Sequence, residues 1–477
     1  MKKFINVLAV LLALVMCLGV VVACATDDEG ATDGTTTAAT TTKAPDNTTT
    51  ATQNTTTAED TTTVEDQPGI ETPEVDVPAD GMITSAAQLH AVLVNGAADG
   101  TYTVNAEKLD MGKYKWNGMV NFAGTFDFGG CTIENAKYSL FVSVTNGTIK
   151  NLKIANSTYV YTDEDAKADL SSVDNTTQGN IYYSPVVRYA KNITIQNVTI
   201  ESTVSIKSDI YTDGSSHAGV VAYATGNTII IENCHFKGNI ATDSLLVRVG
   251  GVVGVIDCSD KANLNKENPE ESLARVMNCT NSGKVENVGS TGDSKAGGVI
   301  AYMSNAAAVN CANYGEMLSN DKGQTGGVVG YVGNDTYMKN CLNTGKVVGV
   351  EFIGGICAYS NGSERYFMNC INLGNVSCSN DSNNNWGGVI GLARSSEKLT
   401  NCFNLHTEAG TLKMVQVQID KQVVGALNPA DTATYGNLVI VNCGDLDSVD
   451  AIYTAIENAA PGVFEKADGS LRLVIAE

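Results

Sequence analysis

The sequence predicts an all-β protein built as a parallel β-helix, and three observations support this fold class. An element of two small residues, aliphatic residues and an aromatic recurs along the chain, and an Asn-Cys pair follows each clear copy. Uninterrupted copies are spaced about thirty residues apart. Helical periodicity is scarce, and 47 glycines against 8 prolines favour short strands with tight turns. A repeat of this length stacks each copy only on its neighbours, as a solenoid does.

The N-terminus has the pattern of a secretion signal. Met1-Lys2-Lys3 is basic, Phe4 to Val22 is apolar and uncharged, and Ala23-Cys24 ends the apolar stretch. This ending resembles the lipobox of bacterial lipoproteins. The resemblance implies cleavage after residue 23, a lipid on Cys24, and an anchored position on the extracellular face of the bacterial membrane. Cys17 is a competing lipidation site without the preceding small residue, and an uncleaved membrane helix is the alternative interpretation.

Residues 24–79 are predicted to be a disordered linker. Short runs of threonine, such as Thr35-Thr36-Thr37 and Thr61-Thr62-Thr63, alternate with acidic residues and prolines. This composition buries too little apolar surface to offset the entropy of ordering. We interpret it as a stalk that holds the following domain away from the membrane.

The repeats define a solenoid over residues 80–412, followed at 413–477 by a degenerate turn and a cap. The glycines are expected to allow sharp corners, the aliphatics to point inward, and the asparagines to form a ladder between turns. The glycine-containing elements are Ala218–Tyr223, 250–255, Gly297–Tyr302, Gly326–Tyr331, Gly354–Tyr359 and Gly387–Leu392. The Asn-Cys pairs end at Cys234, Cys279, Cys311, Cys341, Cys370 and Cys402, with a further copy at Cys443.

These repeats resemble the GLUG motif of bacterial surface proteins, as do the segments Phe122–Ile133 and Asn146–Leu152. The resemblance covers about residues 82 to 405 and implies a right-handed parallel β-helix in an extracellular setting. Tyr138-Ser139-Leu140-Phe141 departs from the motif at its start. Such repeats also occur beside metallopeptidase domains that cut immunoglobulin A. That activity needs His-Glu-x-x-His, and none of His90, His217, His235 and His406 has a second histidine at that spacing.

Helical caps are expected at the ends, because open ends of a β-helix expose unpaired strand edges. Ser85 and Gln88 have the spacing of a capping box before an apolar stretch, which predicts a short N-terminal helix. A second helix is predicted from Ser448 to Ala459, and a strand from Phe464 to Ile475.

The regularly spaced cysteines are candidates for three roles. One cysteine in each repeat predicts an inward ladder of small apolar side chains. Stacked neighbours lie close enough for a disulfide. A zinc site is the least favoured alternative, because Cys-x-x-Cys is absent.

Tyrosines recur at one position of the repeat, and Tyr223, Tyr302, Tyr331 and Tyr359 are the candidate ligand-facing residues. A row of outward aromatic rings is a platform for sugars, whereas packing at a strand end is the structural alternative. Strand alternation alone does not assign the face.

No catalytic motif, cofactor motif or metal motif is found. The carboxylate clusters, which a glycosidase or lyase would need, fall in apparent loops without a basic partner; they are Asp163-Glu164-Asp165, Asp209 with Asp213, and Asp257 with Asp260. A net charge of -22 disfavours nucleic acid and direct binding of polyanions. The sequence favours a non-enzymatic surface protein that binds a glycan or a partner protein. A carbohydrate-active enzyme and a structural envelope spacer are the alternatives.

Overall fold

The computed structural model describes residues 72–162, 181–209, 215–244, 246–289, 293–320, 322–379, 385–394, 396–405, 414–419, 422–427, 432–435 and 437–475. All of them belong to one compact unit, Gln67–Glu477. The signal sequence, Cys24, nearly all of the linker and the clusters at residues 163–165 and 213 lie outside the described residues, and so does His406.

The described residues form a parallel β-helix, which confirms the predicted fold class. Each regular turn contributes strands to three parallel sheets, and each strand pairs with its equivalents in the turns before and after. We call these sheets I, II and III. Sheet II contains Thr158–Thr162, Ser205–Asp209, Asn239–Thr242, Lys284–Asn287, Glu316–Ser319, Val347–Gly349 and Val376–Cys378. Sheet III contains Tyr182–Tyr183, Ser216–Ala218, Arg248–Gly250, Lys295–Gly297, Gln324–Gly326, Phe352–Gly354 and Trp386–Gly387.

Sheet I is the largest and forms most of the wall. Its strands are Met82–Ile83, Thr101–Val104, Lys108–Asp110, Thr125–Asp127, Thr132–Glu134, Phe141–Ala155, Val187–Ile200, Val221–Phe236, Val253–Cys258, Ala274–Met277, Thr280–Asn281, Ile300–Ser304, Ala307–Val309, Ala312–Asn313, Val329–Val332, Thr336–Lys339, Leu342–Asn343, Cys357–Ser360, Arg365–Met368, Ile371–Asn372, Ile390–Ala393, Glu397–Thr400, Phe403–Leu405, Val415–Ile419, Gln422–Leu427, Thr432–Tyr435, Leu438–Val441 and Gly444–Leu446. Only two pairings in this sheet, within the last turns, are antiparallel among the described strands.

The core consists of columns of inward side chains, one from each turn. One column places equivalent residues in register on neighbouring strands, each at most 1% exposed; it runs Ile149, Ile195, Ile231, Val276, Ala308, Met338, Phe367, Leu399 and Ile440. Because each residue packs on its equivalents, one apolar position in the repeat supplies a continuous core.

The asparagines of the Asn-Cys pairs, together with Asn197 at the equivalent position of an earlier turn, form the predicted ladder, and they also turn the chain. Each side-chain amide donates to the amide oxygen of the preceding turn over 2.8–3.1 Å from Asn197 to Asn401, and over 2.7 Å at Asn442. Their φ angles lie between 50° and 57°, in the left-handed region that asparagine tolerates better than most residues. We call this column the outer ladder.

The paired glycines allow the predicted sharp corners through close backbone packing and not through a positive φ. A Cβ on Gly326 would lie 1.9 Å from the carbonyl oxygen of Val329, and one on Gly327 would lie 2.0 Å from that of Gly355. Neither glycine has a positive φ. The corner is closed by backbone contact that only glycine permits.

A second, buried ladder runs inside the solenoid. Asn281 donates to Asn313, and the series continues through Asn343 and Asn372 to Asn404 with bonds of 2.7–2.9 Å. Asn404 then donates to Asp445 over 2.7 Å. The five asparagines of this inner ladder are fully buried. Each therefore depends on its neighbours for hydrogen bonds.

Both predicted helices are present, but only the N-terminal one joins the main core. The first spans Ala86–Asn95, and Ser85 accepts a hydrogen bond from the backbone of Gln88. The second spans Val449–Ala459, and it is followed by a hairpin of Phe464–Ala467 and Ser470–Leu473 in place of the predicted single strand. No helix among the described residues is long and apolar enough to cross a membrane.

The C-terminal helix and hairpin cover a lateral face of sheet I. Ile452, Ile456 and Phe464 pack in one buried cluster with side chains at equivalent positions of four turns, Ala312, Leu342, Ile371 and Phe403. Tyr314 accepts a hydrogen bond from the backbone of Leu473 over 3.1 Å. This face is apolar because each of those four residues follows a Cys of the repeat and points outward.

Substitution of Asn343 by Ala tests the inner ladder. It leaves the side-chain N–H of Asn313 and the side-chain carbonyl of Asn372 buried without the partner that Asn343 supplies. We therefore expect the free energy of unfolding to fall by about 2–4 kcal/mol. Urea unfolding followed by circular dichroism measures this loss. Asn239→Ala, an exposed asparagine on sheet II, is the control and should change stability by less than about 0.5 kcal/mol. Equal effects of the two substitutions would contradict a stabilising role of the ladder.

Candidate functional site

The repeated tyrosines form a row on sheet I. Tyr302, Tyr331 and Tyr359 occupy paired positions on neighbouring strands, and Tyr189 pairs with Tyr223 further toward the N-terminus. Val255 interrupts the row between these two groups. The sequence spacing therefore placed the candidate aromatics correctly at one position of the repeat.

The rings in this row stack on one another. Tyr302 and Tyr331 are nearly parallel, with centroids 5.2 Å apart and an interplanar angle of 9°. Tyr331 and Tyr359 meet edge to face at 5.4 Å. Since the neighbouring rings occupy one another's faces, the row offers mainly ring edges and hydroxyls to a ligand.

Side chains of sheet III cover part of the tyrosine row. The ring of Phe352 stacks on Tyr359 at 5.0 Å, and the ammonium of Lys295 lies 5.5 Å from the centre of the Tyr331 ring. Tyr359 is only 8% exposed as a result. Burial, followed by the neighbouring rings of Tyr302 and Tyr359, raises the pKa of Tyr331 to about 12. Contact of these tyrosines with a ligand stays a prediction. Because the ring faces are covered, such contact would involve ring edges and hydroxyls.

The repeated cysteines lie inside the solenoid. The seven cysteines of the Asn-Cys pairs are free and at most 2% exposed. Their thiols donate to backbone carbonyls, as Cys311 does to Val309 over 3.5 Å. Burial raises the pKa of the Cys311 thiol well above its ordinary value. This arrangement agrees with the core-ladder interpretation of the cysteines.

The described carboxylates of the sequence clusters lie in different surroundings, and Asp257 lies in the strand Val253–Cys258 and not in the predicted loop. Asp260 accepts a hydrogen bond from the backbone of Ala262 and starts a short 3-10 turn, Lys261–Asn263. Burial raises the pKa of Asp257, while Arg248 acts against that shift. In the described part of the chain, no group of three or more His, Cys, Asp or Glu side chains is arranged to hold a metal ion.

A polar groove, not foreseen from the sequence, lies on sheet I beside the face that the C-terminal helix covers. Its volume is about 960 Å³. Its lining residues form three rows across neighbouring turns. The first row contains Asp127, Gly129, Gly130, Asn151, Asn197 and Asn233; the middle row Lys153, Thr199 and His235; and the third row Glu201, Lys237 and Ile475.

The first row contains the N-terminal end of the outer ladder. Asn233 donates to Asn197, Asn197 to Asn151, and Asn151 to Asp127 over 2.8 Å. These bonds fix the orientation of each amide. Each amide keeps a second N–H and a second lone pair that the ladder does not use.

The middle row carries polar atoms that have no hydrogen-bond or ion-pair partner in the described part of the chain. Lys153, Thr199 and His235 are paired in register on neighbouring strands, which places them about 4.8 Å apart in succession. His235 uses Nδ1 for a 2.9 Å hydrogen bond with Thr280, which leaves Nε2 free. Burial and then Lys237 lower the pKa of His235, so its ring is neutral at pH 7.

The acidic groups of the groove are ion-paired. Lys237 lies 3.2 Å from Glu201, and Lys150 lies 3.2 Å from Asp127. Burial acts to raise the pKa of Asp127, but bonds from Asn151, Gly129 and Lys150 outweigh burial and bring the pKa below its ordinary value. Asp127 is therefore a charged acceptor at neutral pH and not a proton donor.

The sequence contains a signal for this groove in the residue that follows each Cys of the repeat. In the six clear copies of the repeat, the residue directly after the Cys is His235, Thr280, Ala312, Leu342, Ile371 and Phe403 in turn. This outward position is polar in the early turns and apolar in the later ones. The change marks where the groove ends and where the C-terminal helix packs.

Comparisons with known proteins give little further information. No family model matches the chain, and no curated protein sequence matches it. Among solved structures, the crystal structure of a "putative immunoglobulin A1 protease from Bacteroides ovatus" is 15% identical over 83% of this chain and 92% of that chain, with a TM-score of 0.39. Similarity at this level supports no inference about the function of this chain. The resemblance to GLUG repeats stays a prediction.

Substitution of Tyr331 by Phe tests the environment of the tyrosine row. A phenol with a folded-state pKa of about 12 and an unfolded-state pKa of about 10 stabilises the fold fully below pH 10. That contribution is lost as the pH rises from about 10 to about 12. Urea midpoints should therefore fall between pH 9 and pH 11.5, and fall less in Tyr331→Phe. An equal fall in both proteins would show that this phenol is not held neutral.

Proposed function

We propose that this chain is a cell-surface protein that binds a glycan along the polar groove and performs no catalysis there. The observation that carries the proposal is the line of unpartnered polar atoms in the middle row: the Lys153 ammonium, the Thr199 hydroxyl and the His235 Nε2. Polar atoms in such a groove exchange water for ligand hydroxyls at little cost.

The chemistry of the lining favours a polyhydroxylated ligand. Amides and hydroxyls both donate and accept hydrogen bonds, as sugar hydroxyls do. Among the residues that line the groove, Ile475 is the one hydrophobic side chain. The volume lies near the upper end of the range of roughly 300–1,000 Å³ that small-molecule sites span.

The state of the carboxylates supports binding over hydrolysis. A glycosidase needs one protonated carboxyl group as general acid and a second carboxylate as base or nucleophile. Asp127 has a lowered pKa and Glu201 is paired with Lys237. Asp127 is therefore not a suitable general acid, and Glu201 is held by its ion pair, which favours binding over hydrolysis within the groove.

The proposed location is the outer face of the bacterial membrane. It rests on the basic start, the apolar stretch and Ala23-Cys24, with the threonine-rich segment as a stalk. A protein that binds insoluble glycans from a lipid anchor serves in adhesion, and a surface protein partner is the other ligand class consistent with this position.

Paired substitutions in the groove test the binding site. We expect Thr199→Ala and His235→Ala each to weaken retention on a bound polysaccharide by about 2-fold to 10-fold, because each removes one hydrogen bond. Affinity electrophoresis over a panel of polysaccharides and mucin measures retention, with reducing sugars assayed in the same samples. Thr158→Ala, an exposed threonine on sheet II, is the control and should bind normally. Released oligosaccharides would overturn the non-catalytic assignment, and retention that both groove variants keep would place the site elsewhere.

Substitution of Cys24 by Ser tests the anchor. It removes the thiol that would carry the lipid, so incorporation of radiolabelled palmitate should be lost and the protein should leave the membrane fraction. Cys17→Ser is the matched control and should retain both properties. The opposite pattern would move the anchor to Cys17, and no labelling of the parent protein would exclude lipidation.

A further inference from the structure

The basic side chains at the groove differ in one respect. Lys150 is paired with Asp127 and Lys237 is paired with Glu201, each at 3.2 Å. Lys153 lies between these pairs on the middle row and has no carboxylate partner among the residues that the structure describes. Both carboxylates that line the groove, Asp127 and Glu201, are thus engaged by other lysines, and His235 is neutral. Lys153 therefore remains a locally unpaired cation in the groove, although the chain as a whole has a net charge of -22.

Thr199, the neighbour of Lys153, supplies a second hydrogen-bond donor beside its ammonium. Thr199 is directly across from Lys153 on the next strand, and its hydroxyl has no hydrogen-bond partner among the described residues. An ammonium beside a free hydroxyl gives two donors on adjacent turns, which matches the two oxygens of a carboxylate.

We propose that the glycan held in the groove carries an acidic sugar whose carboxylate pairs with Lys153. This inference rests on the proposed glycan-binding function and names the class of sugar. A uniformly charged polyanion does not fit, because the rest of this acidic chain repels it. An isolated acidic residue in an otherwise neutral glycan meets the local positive charge without that repulsion.

The test uses the full-length protein and two matched pairs of oligosaccharides, cellobiose with cellobiouronic acid and lactose with sialyllactose. Titration calorimetry in about 50 mM salt should show the acidic member of at least one pair binding about 5-fold to 10-fold more tightly, because a charge-assisted hydrogen bond exceeds a neutral one. Raising the salt to about 500 mM should reduce this preference.

Two substitutions of Lys153 and one control separate the possible results. Lys153→Gln should abolish the preference for the acidic sugar while binding of its neutral counterpart persists, and Lys153→Arg should retain most of the preference. Lys207→Gln, an exposed lysine on sheet II, should behave as the parent protein.

The outcomes distinguish this inference from the function on which it rests. A preference that survives Lys153→Gln overturns the assignment of this residue. Equal binding of neutral and acidic members, lost on Thr199→Ala, overturns the acidic-sugar inference and leaves glycan binding in the groove intact. An absence of binding to all four oligosaccharides overturns the acidic-sugar inference, and retention on the polysaccharide panel then decides separately whether glycan binding stands.

Discussion

The amide-to-amide hydrogen bond between equivalent asparagines is the interaction on which the rest of the structure depends. It occurs once in each regular turn of the outer ladder and again in the buried inner ladder of the later turns. A buried amide that loses its partner costs roughly 1–3 kcal/mol. A shift of one turn by one residue relative to its neighbours would break the ladder bonds to both of them, so the shift is unfavourable in every turn. The ladders thereby fix the register in which the apolar columns, the cysteines and the tyrosines stack.

The glycines and the inner asparagines express a single steric constraint. A Cβ on Gly327 would lie 2.6 Å from the side chain of Asn343, and one on Gly345 would meet the backbone of Gly315 at 1.9 Å. The glycine pair thus packs directly against the asparagine of the Asn-x-Gly motif. Both motifs must recur together in the sequence for the turns to close.

Short-range sequence patterns predicted the solenoid, both helices and the position of the tyrosine row, because each depends on spacing within one or two repeats. The C-terminal helix, however, covers a lateral face of sheet I and not the open end for which it was predicted. The groove and the cover over the tyrosines depend on contacts between distant segments. Lys295 and Phe352 reach the tyrosines from another sheet, and the helix at Val449–Ala459 packs on residues more than forty positions away. The period of the repeat does not indicate which outward faces are covered by a later segment of the chain. The change from polar to apolar residues after each Cys marks the boundary between the groove and the covered face. That change can be interpreted only once the position of the C-terminal helix is known.

The groove gains rigidity from the same ladder that holds the fold together. Asn151, Asn197 and Asn233 are held in place by their neighbours before any ligand arrives, so little side-chain entropy is lost when their remaining donors and acceptors bind. Lys153 and Thr199 in the middle row make no such side-chain bonds to the other described residues. Changes in the first row therefore affect both folding and binding, whereas changes at these middle-row positions affect binding alone. These residues of the middle row can therefore change without loss of stability, and we infer that this row determines which ligand the groove binds.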